Sequence, residues 1–284
     1  MVDARPGPSV RARVRVLEDV GTERRDVVRR DDVATEEPLE IRLSAGPARR
    51  TMAVTMRTPG HDFELVAGYL LSEGVIATAD DLTRVDYCTD LDVTAEQQYN
   101  VVTAALRSHL LPEAATLDRH GYTASACGVC GKASIDALEV RCAPVSVDCA
   151  LGVETLYALP EGLRSAQSVF ARTGGLHAAG LATLDGTIRV TREDVGRHNA
   201  VDKVVGHTVL NACVPVGAGV LVVSGRTSFE IVQKAVAAGV PIVAGVSAPS
   251  SLAVSLAERL GVTLVGFLRG RKANVYSHAD RIRA

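Results

Sequence analysis

Tryptophan is missing from the 284-residue chain and aromatic residues make up only 4% of it. No stretch reaches the roughly 18–20 uninterrupted apolar residues that a membrane-spanning helix needs, and residues 1–10 hold no apolar signal core. These two absences predict a cytoplasmic protein with no membrane partner. An excess of one charge sign is lacking as well: the formal net charge is −2, which argues against broad attraction to nucleic acid or anionic lipid. Any anionic partner is therefore expected to be small and held in a local basic pocket. Lysine is scarce, with Lys132, Lys203, Lys234 and Lys272 the only four among 31 basic residues. Three of them fall inside the motifs below, where a compact ammonium and a planar guanidinium are not interchangeable.

What is present supports a folded α/β chain. Hydrophobic residues reach 47% and charged residues 23%, a globular balance in a chain long enough for one large or two modest domains. Residues 1–20 are weakly patterned and read as a flexible N-terminus. Residues 21–115 read as a smaller, β-rich α+β portion. Its alternating runs Arg25–Arg29, Leu39–Leu43 and Met52–Met56 predict antiparallel strands, and an amphipathic helix opens at His61-Asp62-Phe63-Glu64. Further strands are expected near Leu82–Tyr87 and Gln98–Ala104.

Residues 116–284 form the α/β portion, whose C-terminal third is the clearest. Val220–Val223, Ile242–Val246 and Thr263–Leu268 alternate with helical Phe229–Ala238 and Leu252–Leu260, which is βαβαβ and predicts a parallel sheet with helices packed on it. The loops after the three strands carry Ser224, Arg226 and Thr227, then Ser247, then Arg269, Gly270, Arg271 and Lys272. In an open α/β sheet these emerge at the carboxyl edge, where ligands bind, and hydroxyls, backbone N–H groups and guanidiniums there suit phosphate oxygens. Capping of the following helices is the plainer use of the serines and Thr227.

Six cysteines occur, and in a reducing compartment a disulfide framework is the less expected use for them. Cys88, Cys142, Cys149 and Cys213 are scattered and read as small buried apolar residues. Cys127-Gly-Val-Cys130-Gly-Lys132 is different. Glycines beside both thiols leave the sulfurs uncrowded, and Lys132 with a helix over Ala133–Val140 would favour the thiolate. On the residues alone, four uses stay open: persulfide or other nucleophilic chemistry, a thioredoxin-like dithiol, a zinc site and inert burial. Zinc lacks a second Cys-x-x-Cys to complete four ligands.

Two polar segments follow, Arg172-Thr-Gly-Gly-Leu-His177 and Glu193-Asp-Val-Gly-Arg-His-Asn-Ala-Val-Asp-Lys203. If Arg197–Leu210 is helical, His198 and Asp202 share a face and the carboxylate can orient the imidazole, while Asp194 is placed to cap the helix. A solvated polar face with a single cap is the alternative.

In order and spacing these motifs, together with Ser224-Gly-Arg-Thr-Ser228 and Gly266-Phe-Leu-Arg-Gly-Arg-Lys272, resemble the formate dehydrogenase accessory sulfurtransferases over nearly all of the chain beyond its first twenty residues. The resemblance implies a cytidine-deaminase-like sheet with helices on both faces, usually as a homodimer. It also implies a sulfur relay from a cysteine desulfurase to the bis-molybdopterin guanine dinucleotide molybdenum cofactor of formate dehydrogenase. By the same likeness Cys127 carries the persulfide, with Cys130 its partner. Phe267, Leu268, Arg269, Gly270, Arg271 and Lys272 would contact the cofactor, and Ser224, Arg226, Thr227, Ser247, His177 and His198 complete the expected site. The cofactor would be a bound substrate, with no intrinsic metal. A non-catalytic chaperone that binds guanine nucleotides is the alternative. A zinc deaminase departs from the sequence, because no Pro precedes Cys127 and no His-x-Glu occurs, His177 being followed by Ala178 and Ala179.

Overall fold

The computed structural model describes residues 5–21, 23–88, 98–111 and 143–284. The chain begins with a ribbon, β1 (Ser9–Val20) paired antiparallel to β2 (Glu23–Ala34). This differs from the flexible terminus expected for residues 1–20. The reason is local: β2 supplies a partner in register, and Val10, Ala12, Val14 and Val16 alternate with Arg11, Arg13 and Arg15 as a strand requires.

A four-stranded sheet follows in the order β4-β3-β6-β5, from β3 (Glu37–Ala45), β4 (Ala48–Arg57), β5 (Leu82–Tyr87) and β6 (Val101–Leu106). Along β3 every second residue is buried, so one face packs inward and the other meets solvent. Helix α1 (Asp62–Ser72) covers the inward face with Leu65, Val66 and Leu70.

The second sheet has six strands in the order β13-β12-β11-β10-β8-β9. They are β8 (His177–Ala182), β9 (Ile188–Asp194), β10 (Val220–Val223), β11 (Ile242–Gly245), β12 (Thr263–Arg269) and β13 (Lys272–Ser277). The sheet is parallel through β10, β11 and β12 and antiparallel elsewhere. β7 (Leu151–Gly152) and β14 (Ile282–Arg283) pair separately.

Because side chains alternate along a strand, the six-stranded sheet builds two cores. Ala179, Leu221, Val223, Val243 and Leu264 face α4 (Arg197–Leu210), α5 (Phe229–Ala237) and α6 (Ser251–Arg259). Ala178, Val220, Val222, Ile242, Ala244 and Val265 face α2 (Val153–Ser165). A single turn, α3 (Phe170–Thr173), lies beyond α2. Helices thus cover both faces, and the first core runs without a break into α1 and the four-stranded sheet. The domain boundary expected near Leu111–Gly121 falls, after Leu111, outside the described residues.

Helices α1 and α4 cross at glycines. An added Cβ on Gly68 would lie 1.9 Å from the Asp202 carbonyl oxygen, and one on Gly206 would lie 1.7 Å from that of Glu64. Only residues without side chains permit that approach.

Glu64 fastens the same junction: its carboxylate accepts from Arg192 Nη2 at 2.6 Å and meets His207 Nδ1 at 3.1 Å. Burial alone would raise its pKa, but hydrogen bonds from Arg192, His61 and His207 hold it well below the usual carboxylate range. A depressed folded pKa contributes stability that is complete above the unfolded value and lost as pH falls through the folded one. Denaturant titrations should therefore show stability declining below about pH 4.5, the ordinary Glu value, and Glu64→Gln should flatten that decline. An unchanged acid slope in the variant would remove Glu64 from the account.

Of the scattered cysteines, Cys88 is buried, Cys149 half-buried and Cys213 exposed, whereas all were expected to be interior. Cys213 sits at the turn after α4, where its thiol donates to the Asn211 carbonyl.

Candidate functional site

The carboxyl ends of β10, β11 and β12 share one edge, and β8, running the opposite way, starts there. Ser224 ties the two together: its Oγ accepts from Ala178 N at 2.9 Å and its own N–H donates to the Ala178 carbonyl. His177 therefore stands beside the first loop. An added Cβ on Gly225 would lie 3.4 Å from His177 Nδ1 and 3.8 Å from Arg197 Cδ, so the glycine lets imidazole and guanidinium crowd the same point. Burial lowers the His177 pKa, Arg197 and Arg226 lower it further, and Asp194 opposes them. The histidine is thus neutral near pH 7 inside a positive field. Arg197 Nε is buried and has no hydrogen-bond partner among the described residues, a group that an incoming oxyanion would satisfy.

A cleft of about 710 Å³ opens beside this point. Pro160, Leu163 and Arg164 of α2 and Phe170 of α3 form one wall, and Gly175, His177, Ser224 and Val246 form the other. Arg164 lies over the Phe170 ring at 4.4 Å. Its size and mixed apolar and polar lining suit a ligand of nucleotide dimensions.

The expected rim residues divide into those that face outward and those that hold the rim together. Arg226 is exposed and Ser247 half-buried. Phe267 is 40% exposed with φ 51°, a left-handed conformation that turns its ring outward at the end of β12. Arg269 is exposed and donates through Nε to the Val246 carbonyl at 3.1 Å. Gly270, at φ 54°, makes the tight turn into β13, and Lys272 lies exposed just after it. Arg271 is exposed but engaged, forming an ion pair with Glu154 of α2 at 2.6 Å.

Two expected ligand contacts point inward instead. Leu268 is fully buried against the α2 side of the sheet, because strand alternation sends it opposite to Phe267 and Arg269. Thr227 is 1% exposed. It clamps loops, its N–H donating to the Ala248 carbonyl and its carbonyl accepting from Ser250 N. Its Oγ1 has no partner among the described residues and lies where Gly245 lacks a side chain. Ser250 does cap α6, accepting from Ala253 N at 3.2 Å.

The long polar motif also sorts differently from its spacing. His198 is held by partners on α5. Its Nε2 lies 2.9 Å from Ser228 Oγ and 3.3 Å from Glu230 Oε2, while Asp202 pairs with Lys234 Nζ at 2.8 Å and Ser72 Oγ at 3.2 Å. With α4 and α5 side by side, partners across the helix interface win over the neighbour one turn along. Burial pushes the Asp202 carboxyl up to about 6, with Lys234 opposing.

Asp194 is not a helix cap. It is fully buried, 2.7 Å from Lys203 Nζ, and accepts from Thr58 N, Gly196 N and Asn199 Nδ2. Arg197 and Gly225 at the rim and Arg164 in the cleft are the residues that sequence reasoning passed over. Gly225 and Arg197 lay within quoted motifs, but nothing in their spacing distinguishes a lining group from its neighbours. Cys127, Cys130, Lys132, Cys142 and the helix expected over Ala133–Val140 lie outside the described residues.

The model of the family described as FdhD/NarQ matches residues 34–283. Among curated relatives, the Mycobacterium bovis protein is 52% identical over 261 residues, covering 90% of this chain and 93% of its own. The Streptomyces coelicolor protein is 52% identical over 273 residues, with coverage of 92% and 95%. The Sulfurisphaera tokodaii protein is 44% identical over 257 residues, with coverage of 90% and 94%. All three are named sulfur carrier protein FdhD. A crystal structure from Desulfotalea psychrophila, described as a formate dehydrogenase accessory protein, superposes with a TM-score of 0.75 at 25% identity, over 97% of this chain and all of that one.

Proposed function

Starting from the fact that the chain belongs to the FdhD/NarQ family, we propose that it is a sulfur carrier that takes a persulfide sulfur onto Cys127 and delivers it to a guanine-dinucleotide molybdenum cofactor serving formate dehydrogenase. The reading divides the work between two parts of the chain. The Cys127/Cys130 segment handles sulfur. The rim around His177, Arg197, Ser224 and Arg226, with Phe267 and Arg269 beyond it, holds the cofactor as substrate.

The observation that carries this reading is the buried Nε of Arg197, without a hydrogen-bond partner among the described residues and next to a neutral His177, because such a donor in a positive pocket suits an anion. The sheet order, with antiparallel β9-β8 on one flank of parallel β10-β11-β12, supports a deaminase-like ancestry for the scaffold.

The sulfur step balances without an outside oxidant. The Cys127 thiolate attacks the terminal sulfur of the desulfurase persulfide, one S–S bond forms as the other breaks, and the desulfurase cysteine leaves as thiolate. Onward transfer as sulfide would consume two electrons, which the cofactor substrate would supply from the reduced state of its metal, returning Cys127 as its thiolate.

Intact-mass spectrometry after incubation with a cysteine desulfurase and cysteine should show one added sulfur atom on the parent protein and none on Cys127→Ala. The variant should still bind guanosine diphosphate. Sulfur retained by the variant would overturn the assignment of Cys127, and full dehydrogenase maturation by it would favour a cofactor chaperone without sulfur chemistry.

A further inference from the structure

Arg271 differs from its neighbours on the rim in that its charge is already answered from within the chain. Its guanidinium meets the Glu154 carboxylate of α2 in a two-pronged pair, Nη1 to Oε2 at 2.6 Å and Nη2 to Oε1, and its Cζ lies over the Tyr157 ring, 5.4 Å from the centroid. Both charged side chains are largely in water, 72% exposed for Arg271 and 66% for Glu154. Such an exposed pair contributes little to stability. The buried pairs Asp194–Lys203 and Asp202–Lys234 hold elements together, whereas this one is free to exchange.

The same stripe of α2 leads into the cleft. Glu154, Tyr157, Glu161 and Arg164 are spaced three, four and three residues apart and so share a helix face, and the last two line the cleft. Ten helical residues rise about 15 Å, so the stripe connects Arg271 at the β12–β13 turn with the stacked Arg164 and Phe170.

We propose that Glu154 is a specificity-determining residue of the rim: it occupies the two-pronged fork of Arg271 and yields it only to a ligand that brings its own pair of anionic oxygens, such as a nucleoside diphosphate. This inference rests on the reading of the rim as the cofactor's seat. Carboxylate and phosphate offer a guanidinium the same two-acceptor geometry, so binding exchanges one ion pair for another. A neutral ligand has nothing to set against Glu154, and a ligand with a single anionic oxygen makes half of the contact that it breaks. Glu154 lies in the first turn of α2, where the helix dipole favours a carboxylate, so it keeps a favourable setting once Arg271 has turned to the ligand.

Isothermal titration of the full chain with guanosine diphosphate and with guanosine tests this. Glu154→Gln, which keeps the shape of the side chain and removes its charge, should bind guanosine diphosphate about two- to fivefold more tightly than the parent, the worth of an exposed ion pair. Guanosine should bind both proteins alike. The gain should shrink as salt approaches about 1 M, because the parent exchanges ion pairs while the variant forms a new one. Arg271→Ala should abolish the gain, the double variant binding no more tightly than Arg271→Ala alone. Equal affinity of parent and Glu154→Gln for guanosine diphosphate, a gain shared by guanosine, a gain indifferent to salt, or one that survives Arg271→Ala would each overturn the inference and leave the cofactor reading standing. A parent that binds no guanosine diphosphate would overturn both.

Discussion

Gly206→Ala is expected to lower the melting temperature by about 10 °C, although the same exchange at an ordinary helix position stabilises by up to about 1 kcal/mol. The difference lies in what the methyl group meets. At Gly206 it would be placed 1.7 Å from the Glu64 carbonyl oxygen and 2.8 Å from Gly68 N, backbone atoms that cannot swing aside as a side chain would. Either α1 and α4 separate, giving up close packing along their whole contact, or the helix bends. Overpacking usually costs about 1–3 kcal/mol, and a rigid clash belongs at or above the top of that range. In a chain of this size each kcal/mol is worth about 2–4 °C. Gly162→Ala in α2 is the control, since its methyl would only touch Ile188 Cγ1 at 3.4 Å. Calorimetry that found Gly206→Ala melting within about 2 °C of the parent would mean that the helices do not cross this closely.

The second large effect belongs to Asp194. Its carboxylate is fully buried and gathers the Lys203 ammonium and the N–H groups of Thr58 and Gly196, joining the end of β4 to the start of α4. Asp194→Ala leaves Lys203, 1% exposed, with the Thr58 and Glu193 carbonyls as its partners among the described residues. An uncompensated buried charge costs about 3–5 kcal/mol, so denaturant unfolding should show a loss of that size. Lys203→Met in the same background should recover part of it, because the double variant no longer buries an unpaired ammonium. A double-mutant cycle with no coupling between the two positions would contradict the buried pair.

Some of this architecture was plain in the amino-acid order. Short apolar runs alternating with helical periodicity gave β10, α5, β11, α6 and β12, since a strand buried on both faces has little choice but continuous Val, Ile and Leu. The positions of the rim loops followed from that topology. The orientation of individual rim residues did not: Leu268 and Thr227 sit among outward neighbours and differ from them only by strand parity and loop geometry.

Long-range pairing was equally hidden. Asp202 finds Lys234, 32 residues away, and Asp194 finds both Lys203 and Thr58, whereas spacing favours the neighbour four residues along. Ser9–Val20 does alternate, Val10, Ala12, Val14 and Val16 against Arg11, Arg13 and Arg15, a strand signal that was passed over among the arginines of a presumed frayed end. The cluster at His177 was legible only as residue types; that Arg197 and Gly225 converge on it depends on two separate loops meeting.

The reversed direction of β8 bears on how insertions and deletions would be tolerated. Most rim groups hang from loops that leave the sheet, and such loops can lengthen or shorten with little penalty. His177 instead opens a strand whose rungs to β10 are locked, Ala179 opposite Val223 and Ala182 opposite Val220. Removing one residue from β8 would turn the imidazole to the other side of the sheet, so its height above the edge is counted in whole rungs, while the groups around it are free to drift.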